Sequence, residues 1–191
     1  MADYIEIRWH GRAQQGIVTA AKVLAEAALS EGKYVQAFPE FGPERMGAPV
    51  RAFNRISSEP IRLHGQVANP SIVLIADPTL IGTVDLAEGT SDDAVFIVNT
   101  PKPPDEMRKK LSLNKKAKVF TLDASAISIE CIGRHIPNTP MLGALAKATG
   151  VIQVNAVIND FRENYSKKYS QKVIEGNLSA IRKGFEEVKE G

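Results

Sequence analysis

Three short, uninterrupted apolar runs constrain this chain most: Ile72-Val73-Leu74-Ile75-Ala76-Asp77, Ala94-Val95-Phe96-Ile97-Val98-Asn99 and the weaker Lys118-Val119-Phe120-Thr121-Leu122-Asp123. A strand that is apolar on both sides must be covered on both faces, and the segments between these runs are long enough for the covering helices. The pattern predicts an α/β fold: a single domain over 1–191, with a mostly parallel sheet flanked by helices and a helical C-terminal segment. Asp77, Asn99 and Asp123 close the runs where open α/β sheets place ligands. The competing reading is that each caps the turn or helix that follows.

Upstream, Tyr4-Ile5-Glu6-Ile7-Arg8-Trp9 alternates as a strand does and runs into a glycine-bounded turn, Gly11-Arg12-Ala13-Gln14-Gln15-Gly16. Val18, Ala21, Leu24, Ala25, Ala28 and Leu29 then recur at helical spacing, with Gly32 placed as a helix-ending glycine. Residues 34–38 and 50–56 read as two further strands, and 61–63 as a short fourth. Between them, Pro39 to Pro49 holds five Pro or Gly in eleven positions, a composition that predicts an irregular loop. Its centre carries Glu44 and Arg45. It suits either an interaction loop or a rigid turn in which Arg45 pairs with a nearby carboxylate.

After Asp123 the chain reads as helical over 124–132, 141–148, 152–164 and 170–188. Thr139-Pro140 is a helix-start signal. Ile174, Leu178, Ile181, Phe185 and Val188 form an apolar stripe of about two heptads, too short to stand alone as a coiled coil. It must pack on its own domain or on a partner.

Composition removes several function classes. One cysteine cannot close an internal disulfide, complete a four-cysteine zinc site or hold an iron–sulfur cluster. The formal charge is +2, and no Lys/Arg run is interleaved with aromatics, so nucleic acid is not an expected partner. No apolar stretch is long enough for a membrane span, and Met1-Ala2-Asp3-Tyr4 lacks the features of a signal peptide, so a cytoplasmic location is expected.

A turn between a first strand and a first helix aims backbone N–H groups at any anion there. It matches neither familiar phosphate template. Ile17-Val18 stand where a P-loop needs Lys and Ser or Thr, and Ala13 replaces the middle glycine of the dinucleotide fingerprint. Arg8, His10 and Arg12 suit a phosphate or carboxylate in general; a tight structural turn with solvated bases is the alternative. No catalytic residues emerge. Cys131 reads as a buried structural thiol, His135 four residues on does not complete a metal site, no G-x-S-x-G elbow occurs, and Asp92-Asp93 and Asp105-Glu106 read as helix-start or loop charges.

Three separated stretches carry a family resemblance: residues 7–16 (IRWHGRAQQG), residues 36–56 (QAFPEFGPERMGAPVRAFNRI) and residues 137–144 (PNTPMLGA). They resemble the gamma subunits of 2-oxoacid:ferredoxin oxidoreductases over nearly the whole chain. The Trp9-His10 and 138–144 stretches look most like the pyruvate version (pyruvate:ferredoxin oxidoreductase, or pyruvate synthase) rather than those for 2-oxoisovalerate, 2-oxoglutarate or indolepyruvate. The resemblance implies coenzyme A-dependent oxidative decarboxylation of pyruvate to acetyl-CoA and CO2 by a complex of alpha, beta, gamma and delta subunits, with ferredoxin as electron acceptor. It implies thiamine diphosphate and 4Fe–4S clusters on partner subunits, no catalytic residue or metal on this chain, and coenzyme A as a substrate at or near it. The implied binding residues are Gly11, Arg12, Gln15 and Gly16 of the turn, with Arg45 and Asn138. A stand-alone module for coenzyme A or a nucleotide is the other reading. One departure from the family turn is Gln14, which stands where a glycine is common; a positive φ there would strain the turn by about 1–2 kcal/mol.

Overall fold

A computed structural model describes residues 4–40 and 47–191. The strands are β1 (Ile5–Arg12), β2 (Tyr34–Glu40), β3 (Pro49–Ser57), β4 (Ile72–Ile75), β5 (Val95–Asn99), β6 (Lys118–Leu122) and β7 (Lys189–Glu190). They form one sheet in the order β2-β3-β1-β4-β5-β6-β7. The four central strands β1, β4, β5 and β6 are parallel, and β2, β3 and β7 run antiparallel to their neighbours. The three apolar runs are β4, β5 and β6 of those central strands, and β4 is buried along its whole length.

The helices are α1 (Ile17–Ser30), α2 (Pro104–Lys110), α3 (Ala124–Ile132), α4 (Asn138–Thr149), α5 (Val154–Tyr165) and α6 (Gln171–Glu187). The larger core joins one sheet face to α1, α3, α4, α5 and α6; Trp9, Leu74, Ile97, Leu142 and Leu178 are buried in it. A smaller core on the other face holds Ile75, Phe96, Val98, Leu80, Leu86 and Met107 of α2. The α6 stripe packs within its own chain, with Ile174, Leu178 and Ile181 in the larger core.

Alternation along β1 divides its side chains between the faces. Trp9 points to the helices and donates its indole N–H to Asn54 Oδ1 (2.9 Å), while Asn54 Nδ2 donates to the Ala21 carbonyl (2.8 Å), tying α1 to β3. Arg8 and His10 are buried. Arg8 donates to the carbonyls of Leu86 and Glu88 (3.2 and 2.8 Å). Burial, and then the charges of Arg8 and Arg51, push His10 down to about 3, so its imidazole is neutral at physiological pH.

Four local expectations are corrected. The hairpin ladder extends into both ends of the expected loop, because β2 is an edge strand and tolerates Pro39, and β3 can begin on Pro49. Glu44 and Arg45 lie outside the described residues. Residues 61–63 form no strand; the Leu63 carbonyl accepts from the Gln36 side chain (3.1 Å) instead of a ladder partner, and the Arg55 guanidinium binds the next carbonyls, Gly65 and Gln66 (2.9 and 2.8 Å). The Thr139-Pro140 helix starts at Asn138, and Thr139 donates its hydroxyl to Asn177 Oδ1 (3.1 Å) rather than capping. Cys131 is only half-buried, at the margin of the larger core, where burial pushes its thiol pKa up.

Helices α4 and α6 approach closely enough to need two glycines. A β-carbon on Gly143 would overlap the Ile181 carbonyl and stand 2.7 Å from Phe185 N, and one on Gly184 would overlap the Pro140 carbonyl. Overpacking of this kind costs about 2–3 kcal/mol, so Gly143→Ala is expected to lower Tm by about 4–12 °C in a thermal melt.

Candidate functional site

The carboxyl ends of β1 and β4 are neighbours, yet the chain leaves them on opposite faces. From β1 it enters α1 in the larger core, and from β4 it passes through a 3-10 turn, Pro78–Leu80, whose Leu80 lies in the smaller one. Such a divergence is a topological switch point, where open α/β sheets hold ligands.

The β1–α1 turn is fixed from within and from below. Gln15 N donates to the Arg12 carbonyl (3.2 Å), and Arg12 N donates to Gln15 Oε1 (2.8 Å). The Gln15 amide donates on to Asp77 Oδ2 (2.9 Å), next to Arg12 Nε at 3.2 Å. Asp77 Oδ1 accepts from both Thr79 N (2.9 Å) and Thr79 Oγ1 (2.6 Å). Burial would raise the Asp77 pKa, but hydrogen bonds from Thr79 and Gln15, with the Arg12 charge, hold it below the usual carboxylate range. The Arg12 guanidinium also donates to Thr79 Oγ1 from Nε and Nη2 (3.3 and 3.1 Å) and to the Gly47 carbonyl from Nη1 (2.7 Å).

Two glycines are sterically required in the turn. At Gly11 a β-carbon would stand 2.9 Å from Ile17 Cγ2 and 3.0 Å from Gln15 Oε1. Gly16, at φ +75°, caps α1, and a β-carbon there would stand 2.7 Å from Asn138 Nδ2. Gln14 also sits at φ +75°, the strained left-handed conformation expected of it, with its side chain exposed.

Above the turn opens a cleft of about 730 Å³. Arg12, Gln14, Gly16 and the first residues of α1, Ile17 to Thr19, form one side; Arg134, Ile136 and Asn138 form another; Phe161, Tyr165, Tyr169, Val173 and Asn177 close it. Tyr165 stacks on Phe161 (4.7 Å between centroids) and on Tyr169 (6.1 Å). The first intrahelical bond of α1 is Ala20 N to the Gly16 carbonyl, so the N–H groups of residues 17–19 have no partner within the helix. Among the described residues the lining contains two arginines and no carboxylate. This arrangement suits an anionic group attached to an apolar or planar body.

Of the residues expected to bind, Arg12, Gly16 and Asn138 line the cleft. Gly11 and Gln15 lie beneath it and support the turn, and Arg45 is outside the described residues. Asn99 and Asp123 act as caps: Asn99 Oδ1 accepts from Ser125 N (3.1 Å) and Asp123 Oδ1 from Ala126 N (2.9 Å). Asp77 caps its turn as well, but it also belongs to the site. Thr79, Arg134, Tyr165, Tyr169 and Asn177 were not singled out by sequence, since none stands in a motif and only the fold brings them together.

Behind the aromatic wall, Asp160 is buried beside Glu26 of α1. Its Oδ1 accepts from Asn164 Nδ2 (2.9 Å), and its Oδ2 has no partner among the described residues. Burial, and next the Glu26 charge, push Asp160 up to about 6; burial and Glu26 likewise push Tyr165 up to about 12.

Residues 6–187 match the family model described as pyruvate ferredoxin/flavodoxin oxidoreductase. The chain is 50% identical over 186 residues to pyruvate synthase subunit PorC of Thermotoga maritima, spanning 97% of this chain and 95% of that protein. It is 47% identical over 185 residues, and 97% of each chain, to the pyruvate/ketoisovalerate oxidoreductases common subunit gamma of Pyrococcus abyssi. The crystal structure of pyruvate oxidoreductase subunit PORC from Thermotoga maritima matches with a TM-score of 0.87 at 46% identity, over 98% of each chain.

Two variants test the site's energetics. Gln14→Gly relieves the strained φ without removing a hydrogen bond, and is expected to stabilise the chain by ~0.5–1 kcal/mol in denaturant unfolding. Asp160 has a folded pKa of about 6, above the value of about 3.9 in an unfolded chain, so the folded state is favoured by its protonation. Its contribution is unfavourable above pH 6 and vanishes below about pH 4. Asp160→Asn is therefore expected to be more stable than the native chain by about 1–3 kcal/mol at pH 7–8, with the difference fading towards pH 4 in melts across that range.

Proposed function

This chain belongs to the pyruvate ferredoxin/flavodoxin oxidoreductase family, and from that premise we propose that it is the gamma subunit of a multi-subunit pyruvate:ferredoxin oxidoreductase. The complex carries out the coenzyme A-dependent oxidative decarboxylation of pyruvate to acetyl-CoA and CO2 in the cytoplasm. Alpha, beta and delta subunits are its partners, and ferredoxin takes the electrons. Thiamine diphosphate and the 4Fe–4S clusters sit on the partner chains, a division supported by a sequence with one cysteine.

The gamma chain's part is to bind and orient coenzyme A and to complete the assembly. The observation that carries this reading is the cleft over the β1–α1 turn, lined among the described residues by two arginines and no carboxylate. The head of α1 and the Arg12 guanidinium receive phosphate, with Arg134 across the cleft as a second cation. Asn138 supplies a neutral amide beside Gly16, and Phe161, Tyr165 and Tyr169 exclude water from one wall. Nothing in this lining selects one 2-oxoacid over another. The Pyrococcus abyssi relative, named as common to pyruvate and ketoisovalerate oxidoreductases, favours a second reading in which the chain serves complexes for more than one 2-oxoacid, with the choice made on other subunits.

The isolated chain is expected to be colourless and inactive with pyruvate, and pyruvate-dependent dye reduction by it alone would sink the proposal. In the reconstituted complex, Arg12→Ala is expected to raise the KM for coenzyme A by about tenfold, the effect of losing one charge-assisted hydrogen bond, and to change the KM for pyruvate less. An unchanged coenzyme A dependence would remove Arg12 from the site.

A further inference from the structure

The geometry points to Asp77 as the positioning residue of the coenzyme A-binding turn: its carboxylate, reaching from β4, holds Arg12 and Gln15 in the one arrangement that presents the turn to phosphate. The inference rests on the proposed coenzyme A reading and adds a residue that touches no ligand itself. Asp77 is 7% exposed and lies outside the cleft lining.

Each of its oxygens makes two decisions. Oδ2 accepts from Gln15 Nε2, which fixes the way round of that amide and leaves Oε1 facing the Arg12 N–H. Were the amide reversed, its NH2 would oppose that N–H, donor against donor, and the turn would open. Oδ1 accepts the Thr79 hydroxyl, leaving the hydroxyl's lone pairs to receive Arg12 Nε and Nη2. With Nη1 also donating to the Gly47 carbonyl, three of the five guanidinium N–H groups are held among the described residues, and one each on Nη1 and Nη2 remain for a ligand. The side chain of Arg12 is a third exposed, so these two are within reach of solvent.

An asparagine cannot replace this carboxylate. Three hydrogen bonds end on it, two at Oδ1 and one at Oδ2, with the Arg12 Nε cation 3.2 Å from Oδ2, and a carboxamide must turn its NH2 to one of these sides. On the Oδ1 side it meets the Thr79 backbone N–H, which cannot reverse. On the Oδ2 side it meets the Arg12 guanidinium, which has no acceptor.

The test is steady-state kinetics of the complex reconstituted with its partner subunits. Asp77→Asn is expected to raise the KM for coenzyme A about tenfold, as loss of the charge-assisted contacts of one side chain would, with the KM for pyruvate moving less than about twofold. Thr79→Val is expected to act in the same direction, and Thr79→Ser, which keeps the hydroxyl, to restore native behaviour. Because Asp77 acts partly through Arg12, adding Asp77→Asn to Arg12→Ala is expected to raise the KM by less than the product of the single effects. A lowered Tm with an unchanged coenzyme A dependence would reduce Asp77 to a purely structural residue and overturn the inference, as would a tighter KM or full multiplicativity with Arg12→Ala. If Arg12→Ala alters the coenzyme A dependence and Asp77→Asn does not, only this inference fails. If neither alters it, the coenzyme A reading fails with it.

Discussion

Asn138 lies so close to Gly16 that a β-carbon there would stand 2.7 Å from its amide nitrogen, and at this close approach the helical layer meets the β1–α1 turn. It brings the start of α4 against the head of α1. From there α4 runs down to Gly143, where it meets α6 at a separation that admits no side chain. Helix α5 fills the remaining space beside α1, with Val157, Ile158 and Phe161 in the shared core. The cleft is the gap left where these pieces diverge: the head of α1, the link from α3 to α4, the end of α5 and the start of α6. A larger residue at position 16 would therefore disturb the helix packing and the opening of the site together.

Strand β1 shows how one segment can serve two incompatible environments. Its odd-numbered residues Ile7 and Trp9 enter the larger core, whereas Arg8 and His10 are buried on the opposite face. Burial of a cation is costly unless its N–H groups find acceptors; Arg8 Nη2 finds the carbonyls of Leu86 and Glu88, in the segment after β4, while its Nε has no partner among the described residues. Arg55 on β3 is likewise held, by Glu6 on β1 (2.6 Å) and two loop carbonyls. The long irregular segments 58–71 and 81–94 thereby acquire defined positions without regular secondary structure, because they supply the acceptors these arginines need.

Strong local signals were legible in the sequence, and features that require distant segments to meet were not. The apolar runs identified three of the four parallel strands, β4 to β6, because apolar side chains on both sides need covering on both faces; β1 alternates in sequence, and its buried Arg8 and His10 gave no apolar signal. Glycines at 11 and 16 located the β1–α1 turn, and Gln14 between them marked its strained point. Helix α2 was missed as an element: it has seven residues, too few for a periodic stripe, and only its Asp105-Glu106 start and basic end mark it. Gln15 was legible as a turn residue, but its inward orientation depends on Asp77, 62 positions away. Thr139 resembled a cap because Pro140 follows it; Asn177, on a helix far along the chain, claims its hydroxyl instead.

The strain at Gln14 and the order around Asp77 are two sides of one balance. A non-glycine residue in the left-handed region costs about 1 kcal/mol and would relax if the flanking backbone could rotate. Here it cannot: Arg12 is held on its amide and guanidinium, Gln15 on both ends of its carboxamide, and Gly16 against Asn138. The turn keeps its shape through contacts to β4, the 3-10 turn and α4, so the cost is confined to one exposed residue that makes none of those bonds. The same arrangement separates charge. The compensating carboxylate of Asp77 lies outside the cleft lining, while the helix head, Arg12 and Arg134 face a space lined by no carboxylate among the described residues. A chain with a net charge of only +2 thus presents a locally positive site, because the acidic groups among its described residues are placed away from the cleft lining.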